Sequence, residues 1–363
     1  MRATPGFVIH LGLAAACTVD AASDDASAFT ATETETAADG STTASTGSAT
    51  GASATAASAT ATGATSIDTA ADDASDSTDD DGHGDSTGGA PDDGALPAKL
   101  VAGYWQMWQG PRVAEITANA PEYNLQYAAF ALGTESGTGH VSFDPVYSPP
   151  DELRLDIAAS RAAGSRWLLS IGGGGEGAIT LLEASHADQM VASLIPIIDD
   201  YGFDGIDFDL ESGPDGWSVD AMAAVAQQLD AHYGPQFIIS AAPRPYEDEY
   251  RDAALAMGDT LDLFGFQFYD APEFNDPQFL HDNIVYRVNQ AIDLGIPASK
   301  IMIGCITYSD YGYGHNTVEV YRDIFLELEQ DHPDLRGVFI WETSLDALEG
   351  WSFAHGMGAA LLP

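Results

Sequence analysis

The chain has 363 residues, with 56 Asp and Glu against 12 Lys and Arg, and a formal net charge of -44. So negative a surface repels phosphate backbones, which excludes nucleic acid as a natural partner and leaves a neutral polymer compatible. Two cysteines, Cys17 and Cys305, exclude a disulfide framework, and beyond residue 17 no run reaches the ~20 apolar residues of a membrane-spanning helix.

The composition divides the chain into three parts. Residues 1–17 (MRATPGFVIHLGLAAAC) carry one Arg, a short apolar run and small residues before Cys17, the pattern of a secretory signal. A Cys directly after small residues also resembles a bacterial lipoprotein cleavage site. Two destinations follow as expectations, secretion or anchoring at the cell surface, with the membrane reached only through lipid on Cys17. Residues 18–97 hold 16 acidic residues, no Lys or Arg, and long tracts of Ala, Ser, Thr and Gly. Such a segment cannot bury a core and reads as a disordered acidic linker that self-repulsion extends. Within it, DDDGHGD (79–85) lacks the spacing and closing Glu of a calcium loop and reads as a solvated acidic stretch. Residues 98–363 keep 40 acidic and 11 basic residues, a formal -29, at globular density of Trp, Tyr, Phe, Leu and Ile. We read that excess acid as a solubility device.

From Lys99 a short apolar run alternates with a polar or amphipathic stretch. The runs are 100–105 (LVAGYW), 127–132 (YAAFAL), 166–171 (RWLLSI), 203–210 (FDGIDFDL), 237–242 (FIISAA), 263–269 (LFGFQFY), 301–306 (IMIGCI) and 337–341 (GVFIW). Helical stretches at 149–163, 186–201, 219–233, 277–294 and 317–332 lie between them. Continuous apolar runs are the mark of parallel strands covered on both faces. Eight such units in about 265 residues predict a (β/α)8 TIM barrel, an α/β fold. A doubly wound sheet is the alternative, but the first run ends in GYWQ rather than a Gly-rich phosphate loop. Cys305, inside the seventh run, is expected to be a buried free thiol.

In a barrel of this kind the reactive groups stand at the C-terminal ends of the strands. The fourth run reads DGIDFDLE over 204–211. Strand period two puts Asp207, Asp209 and Glu211 on one face and turns Ile206, Phe208 and Leu210 to the helices, with Asp204 near the strand's start. Carboxyls crowded in a barrel push at least one pKa upward, which is how a Glu stays protonated to serve as a general acid. The bland reading, an exposed acidic strand, does not account for the alternation with Ile, Phe and Leu.

The segment 204–211 resembles the DGxDxDxE signature of glycoside hydrolase family 18, the chitinases and their relatives. Ser170–Gly173 (SIGG) resembles that family's SxGG motif. Gly103-Tyr-Trp105, Ala128–Ala131, Gln267-Phe-Tyr269 and Trp341 resemble its first, second, sixth and eighth strands, so the likeness spans 99–363. It implies retaining hydrolysis of β-1,4-linked N-acetylglucosamine polymers, chitin or a related glycan, with the substrate's own acetamido oxygen as nucleophile; endo action is expected from the open cleft that the short connection 307–336 predicts. It further implies that Glu211 is the acid and base, that Asp209 holds the acetamido N–H, that Asp207 shares a proton or hydrogen bond with Asp209, and that Tyr269 donates to the acetamido oxygen. Trp341 is the apolar floor. Gln267, Tyr104, Phe130, Gly172, Gly173 and Asp270 are expected to line the substrate site, with Trp105 and Trp108 as further cleft aromatics and a mobile loop at Gly174-Gly175. Tyr269 and Trp341 also have a plain reading as core aromatics, and the glycines as turn residues.

Two positions depart from the family pattern: Arg244, where a Met-Ala-Pro-Glu run commonly ends, and Asp270, where Asn is common. The connection 307–336 is too short for the extra α+β domain of some relatives, which predicts a shallow, open cleft. No cofactor or metal is expected, and the chain is expected to act as a monomer. Three other functions stand beside the chitinase reading: an endo-β-N-acetylglucosaminidase acting on N-glycans or peptidoglycan-type glycans, a non-catalytic chitin-binding lectin, and a metal-dependent hydrolase using the three acids.

Overall fold

A computed structural model describes residues 96–174, 179–211, 216–310 and 313–363. The signal sequence, Cys17, the acidic linker up to residue 95 and Gly175 lie outside the described residues.

All eight expected strands form one closed parallel barrel. They are β1 (Leu100–Gln106), β2 (Leu125–Gly133), β4 (Arg166–Gly172), β5 (Gly205–Asp209), β6 (Ile238–Ala241), β7 (Leu263–Gln267), β8 (Ile301–Cys305) and β9 (Gly337–Ile340). Hydrogen-bonded neighbours follow chain order, and β9 returns to β1, which also pairs with β2. A two-residue strand that the apolar runs did not mark, β3 (Val141–Ser142), pairs antiparallel with the end of β2.

Helices cover the barrel: α1 (Val113–Asn119), α2 (Pro150–Ala162), α3 (Ala184–Tyr201), α4 (Val219–Tyr233), α5 (Asp248–Met257), α6 (Pro277–Asp293), α7 (Val318–Asp331), α8 (Thr343–Leu348) and α9 (Ser352–Leu361). Local chemistry sets several boundaries. Asp276 caps α6 by accepting from the N–H groups of Gln278 and Phe279, and Pro277 opens the first turn. Ser218 caps α4 in the same way. Gly202 ends α3 with φ 71°, a left-handed conformation that an L side chain resists. Between β8 and β9 the described residues form a short loop and α7, with no inserted domain. No helix among the described residues is long and apolar enough to cross a membrane.

Strand alternation separates two apolar layers. Ile206, Phe208 and Leu210 pack outward with the helices, while Leu100, Tyr127, Leu168, Leu263, Met302 and Phe339 fill the barrel interior. Cys305 is a buried free thiol in the outer layer. The same alternation corrects one expectation. Tyr104 points into the barrel, but Trp105 points out, fully buried against Trp167 and donating its indole N–H to the Pro111 carbonyl, so it cannot line the cleft.

Candidate active site

Asp207 and Asp209 project from β5 into the barrel, and Glu211 follows at the strand's C-terminal mouth. The two aspartates are nearly or fully inaccessible, at 0% and 4% exposure. Anions at such depth require hydrogen-bond donors. Register supplies those for Asp207, because Ser170 on β4 and Ser240 on β6 are its direct neighbours. Ser170 Oγ donates to Asp207 Oδ2 at 2.7 Å and Tyr104 Oη to the same oxygen at 2.8 Å. Burial pushes the Asp207 carboxyl up, against hydrogen bonds from Ser170, Ser240 and Tyr104 that pull it down. Its Oδ1 is buried with no hydrogen-bond partner, so the hydrogen bond to Asp209 that the resemblance implies is not made from that oxygen.

Asp209 is held differently. Gln267 Nε2 on β7 donates to Asp209 Oδ1 at 2.7 Å and to the Ala242 carbonyl at 2.7 Å. Burial, and then the charges of Glu211 and Asp207, hold Asp209 well above the usual carboxylate range, while Gln267 and Arg244 pull it down. Asp209 therefore titrates in concert with its surroundings rather than as an isolated carboxyl. Tyr269, at the end of β7, is 8% exposed. Burial, followed by the charges of Asp209, Asp270, Glu211 and Asp207, raises its phenol well above its ordinary value, so it remains a protonated donor.

The glycines after β4 bring a second backbone close to the acids. Gly172 and Gly173 have φ of 113° and 88°. A Cβ on Gly172 would lie 2.3 Å from the Asp209 carbonyl oxygen, and one on Gly173 would lie 2.6 Å from the Phe130 ring. Only glycine accepts both the conformation and the contact. Gly173 N–H is spent on the Asp209 carbonyl at 2.7 Å. A Cβ on Gly174 would lie 2.9 Å from Glu211 Oε2, so this backbone also flanks the third acid.

Aromatic rings build one wall. Phe130 stacks on Trp341 with centroids 5.7 Å apart and planes at 16°, and Trp108, 44% exposed, lies 6.2 Å from Phe130. Tyr104 sits below, stacked on Tyr127 at 4.5 Å and tilted against Trp341 at 5.6 Å.

Several sequence-derived positions thus converge, but with altered duties. Tyr104 and Gln267 were expected to touch substrate. Both are buried, and each directs its donor group to an aspartate, so they support the acids from within the barrel. Gly172 and Gly173 provide close packing rather than free donors. Asp270 is exposed beside the mouth with φ 63°, a conformation that Asp tolerates better than most residues. Asp204, first acid of the DGIDFDLE run, stands apart from the others. It accepts from Arg161 Nε and Nη2 and from the Trp167 N–H at 2.9 Å, and ties the start of β5 to its surroundings.

Two contributors, Ser240 and Tyr250, were missed, and two others, Ser170 and Arg244, were named without their contacts. Ser170 and Ser240 are polar residues inside otherwise apolar runs, a signal that was legible. Tyr250 on α5 is 1% exposed, packs on Trp217 at 4.7 Å and accepts the Leu210 N–H at 2.6 Å, which pins the backbone next to Glu211. Arg244, noted only as a departure, forms an ion pair with Glu211 Oε2. Among the described residues no three His, Cys, Asp or Glu side chains are grouped as a metal ion would need.

The model of the glycosyl hydrolases family 18 matches residues 100–323. An acidic endochitinase of Cicer arietinum is 28% identical over 279 residues, covering 70% of this chain and 90% of that protein. The chain spans about a third of the length of the first two curated relatives it matches. Among solved structures, a family GH18 chitinase from Chromobacterium violaceum superposes with TM-score 0.63 at 24% identity, covering 76% of this chain and 87% of that one. A fungal endo-β-N-acetylglucosaminidase of the same family superposes with TM-score 0.59 at 21% identity, covering 74% and 99%. At such identities these likenesses speak for the fold, whereas the family match covers well over half of the chain and includes the strand that carries the acids. The chain belongs to glycoside hydrolase family 18.

Proposed function

We propose that this chain cleaves β-1,4-linked N-acetylglucosamine polymers internally, with retention of configuration and with the substrate's acetamido group as nucleophile. The observation that carries the reading is the depth gradient along one strand face. Asp207 and Asp209 lie buried on fixed donors, and Glu211 stands above them at the mouth with its side chain 15% exposed.

Of the three acids on this strand face, Glu211 is the one placed to meet a glycosidic oxygen, so it protonates the leaving group and then activates water. Asp209 holds the acetamido N–H, in the orientation set by Gln267. The Tyr269 hydroxyl donates to the acetamido oxygen and aims it at the anomeric carbon. A proton held on Asp207, whose carboxyl burial already pushes up, leaves Asp209 free to carry negative charge as the ring cation develops. The stacked Trp341 and Phe130 rings offer a flat apolar face to the sugar's C–H groups.

The test is product analysis of residues 98–363 and of Glu211→Gln on N-acetylglucosamine oligomers and on a high-mannose glycoprotein. The proposal expects short oligomers from the first substrate, little release from the second, and a loss of at least about 100-fold in the variant. Glycan trimming without oligomer cleavage would instead select the endo-β-N-acetylglucosaminidase reading. Binding without cleavage would select the lectin. Export by residues 1–17, with lipid on Cys17, remains part of the proposal. It is checked by fatty-acid labelling of the full chain and of Cys17→Ala, and absence of label from the full chain would remove the anchor.

A further inference from the structure

Two groups crowd Oε2 of Glu211: the Gly174 backbone lies beside it, and the Arg244 guanidinium bonds to it. Arg244 follows β6 in a loop that Glu247 ties back, accepting the Arg244 N–H at 2.9 Å. Its side chain is 44% exposed and has two further carboxylates within electrostatic reach, Glu247, at 4.0 Å from Nη1, and Asp270.

A guanidinium has donors and no acceptor. While it holds Oε2, that oxygen cannot present a proton to a glycosidic oxygen. Proton delivery from Oε2 therefore requires the pair to separate, and the two neighbouring carboxylates give Arg244 somewhere to go. This requirement rests on the reading of Glu211 as the acid. We propose that Arg244 is a positioning residue that caps Glu211 in the unliganded enzyme and transfers to Glu247 and Asp270 when glycan fills the leaving-group side. The cap sets a threshold: weakly bound short glycans fail to displace it and turn over slowly, and longer ones displace it and react.

Half-exposed ion pairs weaken as salt screens them, and a neutral glycan has no charge of its own to be screened. Salt response is therefore the readout that a structural role would not move. The experiment measures kcat/KM on an N-acetylglucosamine tetramer in wild type, Arg244→Gln and Arg244→Lys, at low and at 0.5 M-scale sodium chloride, with thermal unfolding followed at each salt. The wild type should gain about two- to five-fold with salt, the range set by a partly exposed pair. Arg244→Gln should begin at the wild type's high-salt value and stay flat. Arg244→Lys should fall between, since an ammonium lacks the planar fork. A slower Arg244→Gln at both salts, or an equal salt response in the two proteins, overturns the cap. If no form cleaves the oligomer, the functional reading fails separately, and calorimetric affinity for the same tetramer decides the cap. A salt-tightened affinity in wild type alone supports it, and an equal response refutes it.

Discussion

Replacing Gln267 by Leu removes a donor that the active site depends on while roughly keeping its volume. Gln267 Nε2 makes two hydrogen bonds of 2.7 Å, one to the buried Asp209 carboxyl and one to the Ala242 carbonyl. A hydrogen bond to a charged group is worth about 1.5–3 kcal/mol. If the whole of it is expressed in the transition state, kcat/KM falls about 10- to 150-fold, at 1.4 kcal/mol per factor of ten. The sign of the pH effect follows from the same contact. Burial, Glu211 and Asp207 raise Asp209, and Gln267 lowers it. Without Gln267 the Asp209 pKa rises further, the reactive anionic character is reached only at higher pH, and the acidic limb of the kcat/KM profile moves up. The assay is kcat/KM against pH on a chromogenic oligomer, with urea unfolding to show that the variant is folded. A folded Gln267→Leu enzyme within about three-fold of wild type and with an unmoved acidic limb would refute the role given to this contact, since that is well below the charged hydrogen-bond range.

Two further outcomes test the structure rather than the chemistry. Glu342 is 1% exposed, and burial raises it from 4.5 to about 7 despite bonds from Ser344. A carboxyl raised in the folded state binds its proton more tightly there than in the unfolded chain, so stability falls as pH climbs from about 4 to about 7. Glu342→Gln should therefore gain on wild type over that interval, by on the order of 3 kcal/mol in urea unfolding at pH 8, and an advantage that is constant with pH would contradict the assignment. Asp204→Ala should lower stability by about 1–3 kcal/mol through the lost Trp167 N–H and Arg161 contacts, while the kcat of the folded fraction stays near wild type. A selective loss of kcat would show that Asp204 takes part in the chemistry.

How far the sequence carried can be judged from particular positions. The eight runs became the eight barrel strands because parallel strands buried on both faces have little choice but continuous apolar residues. The period of two correctly set Asp207 and Asp209 against Ile206 and Phe208, yet the same period separates Tyr104 from Trp105, which had been grouped as cleft aromatics. Depth is the missing quantity. Alternation says which face a side chain takes, not how far below the mouth it sits, and Tyr104 and Gln267 sit deep enough to serve the acids. Ser240 meets Asp207 and Tyr250 meets Leu210 through register and helix packing between segments 33 and 40 residues apart. α5 (DEYRDAALAM) is a short helix with a mixed face and was not marked among the helical stretches. The Arg244–Glu211 pair was half legible: the sequence showed an unusual residue beside the cleft, and only the geometry showed what it touches.

The central claim is that cleavage passes through an intermediate on the way to a retained product, rather than by direct attack of water on the bound sugar. The most direct measurement is proton NMR of the anomeric region during the first minutes of oligomer cleavage by residues 98–363, before mutarotation blurs the signal. The account predicts that the newly formed reducing ends appear as the β anomer and equilibrate later. Initial appearance of the α anomer would mean direct attack by water with inversion, and would contradict the roles given to Asp209 and Tyr269.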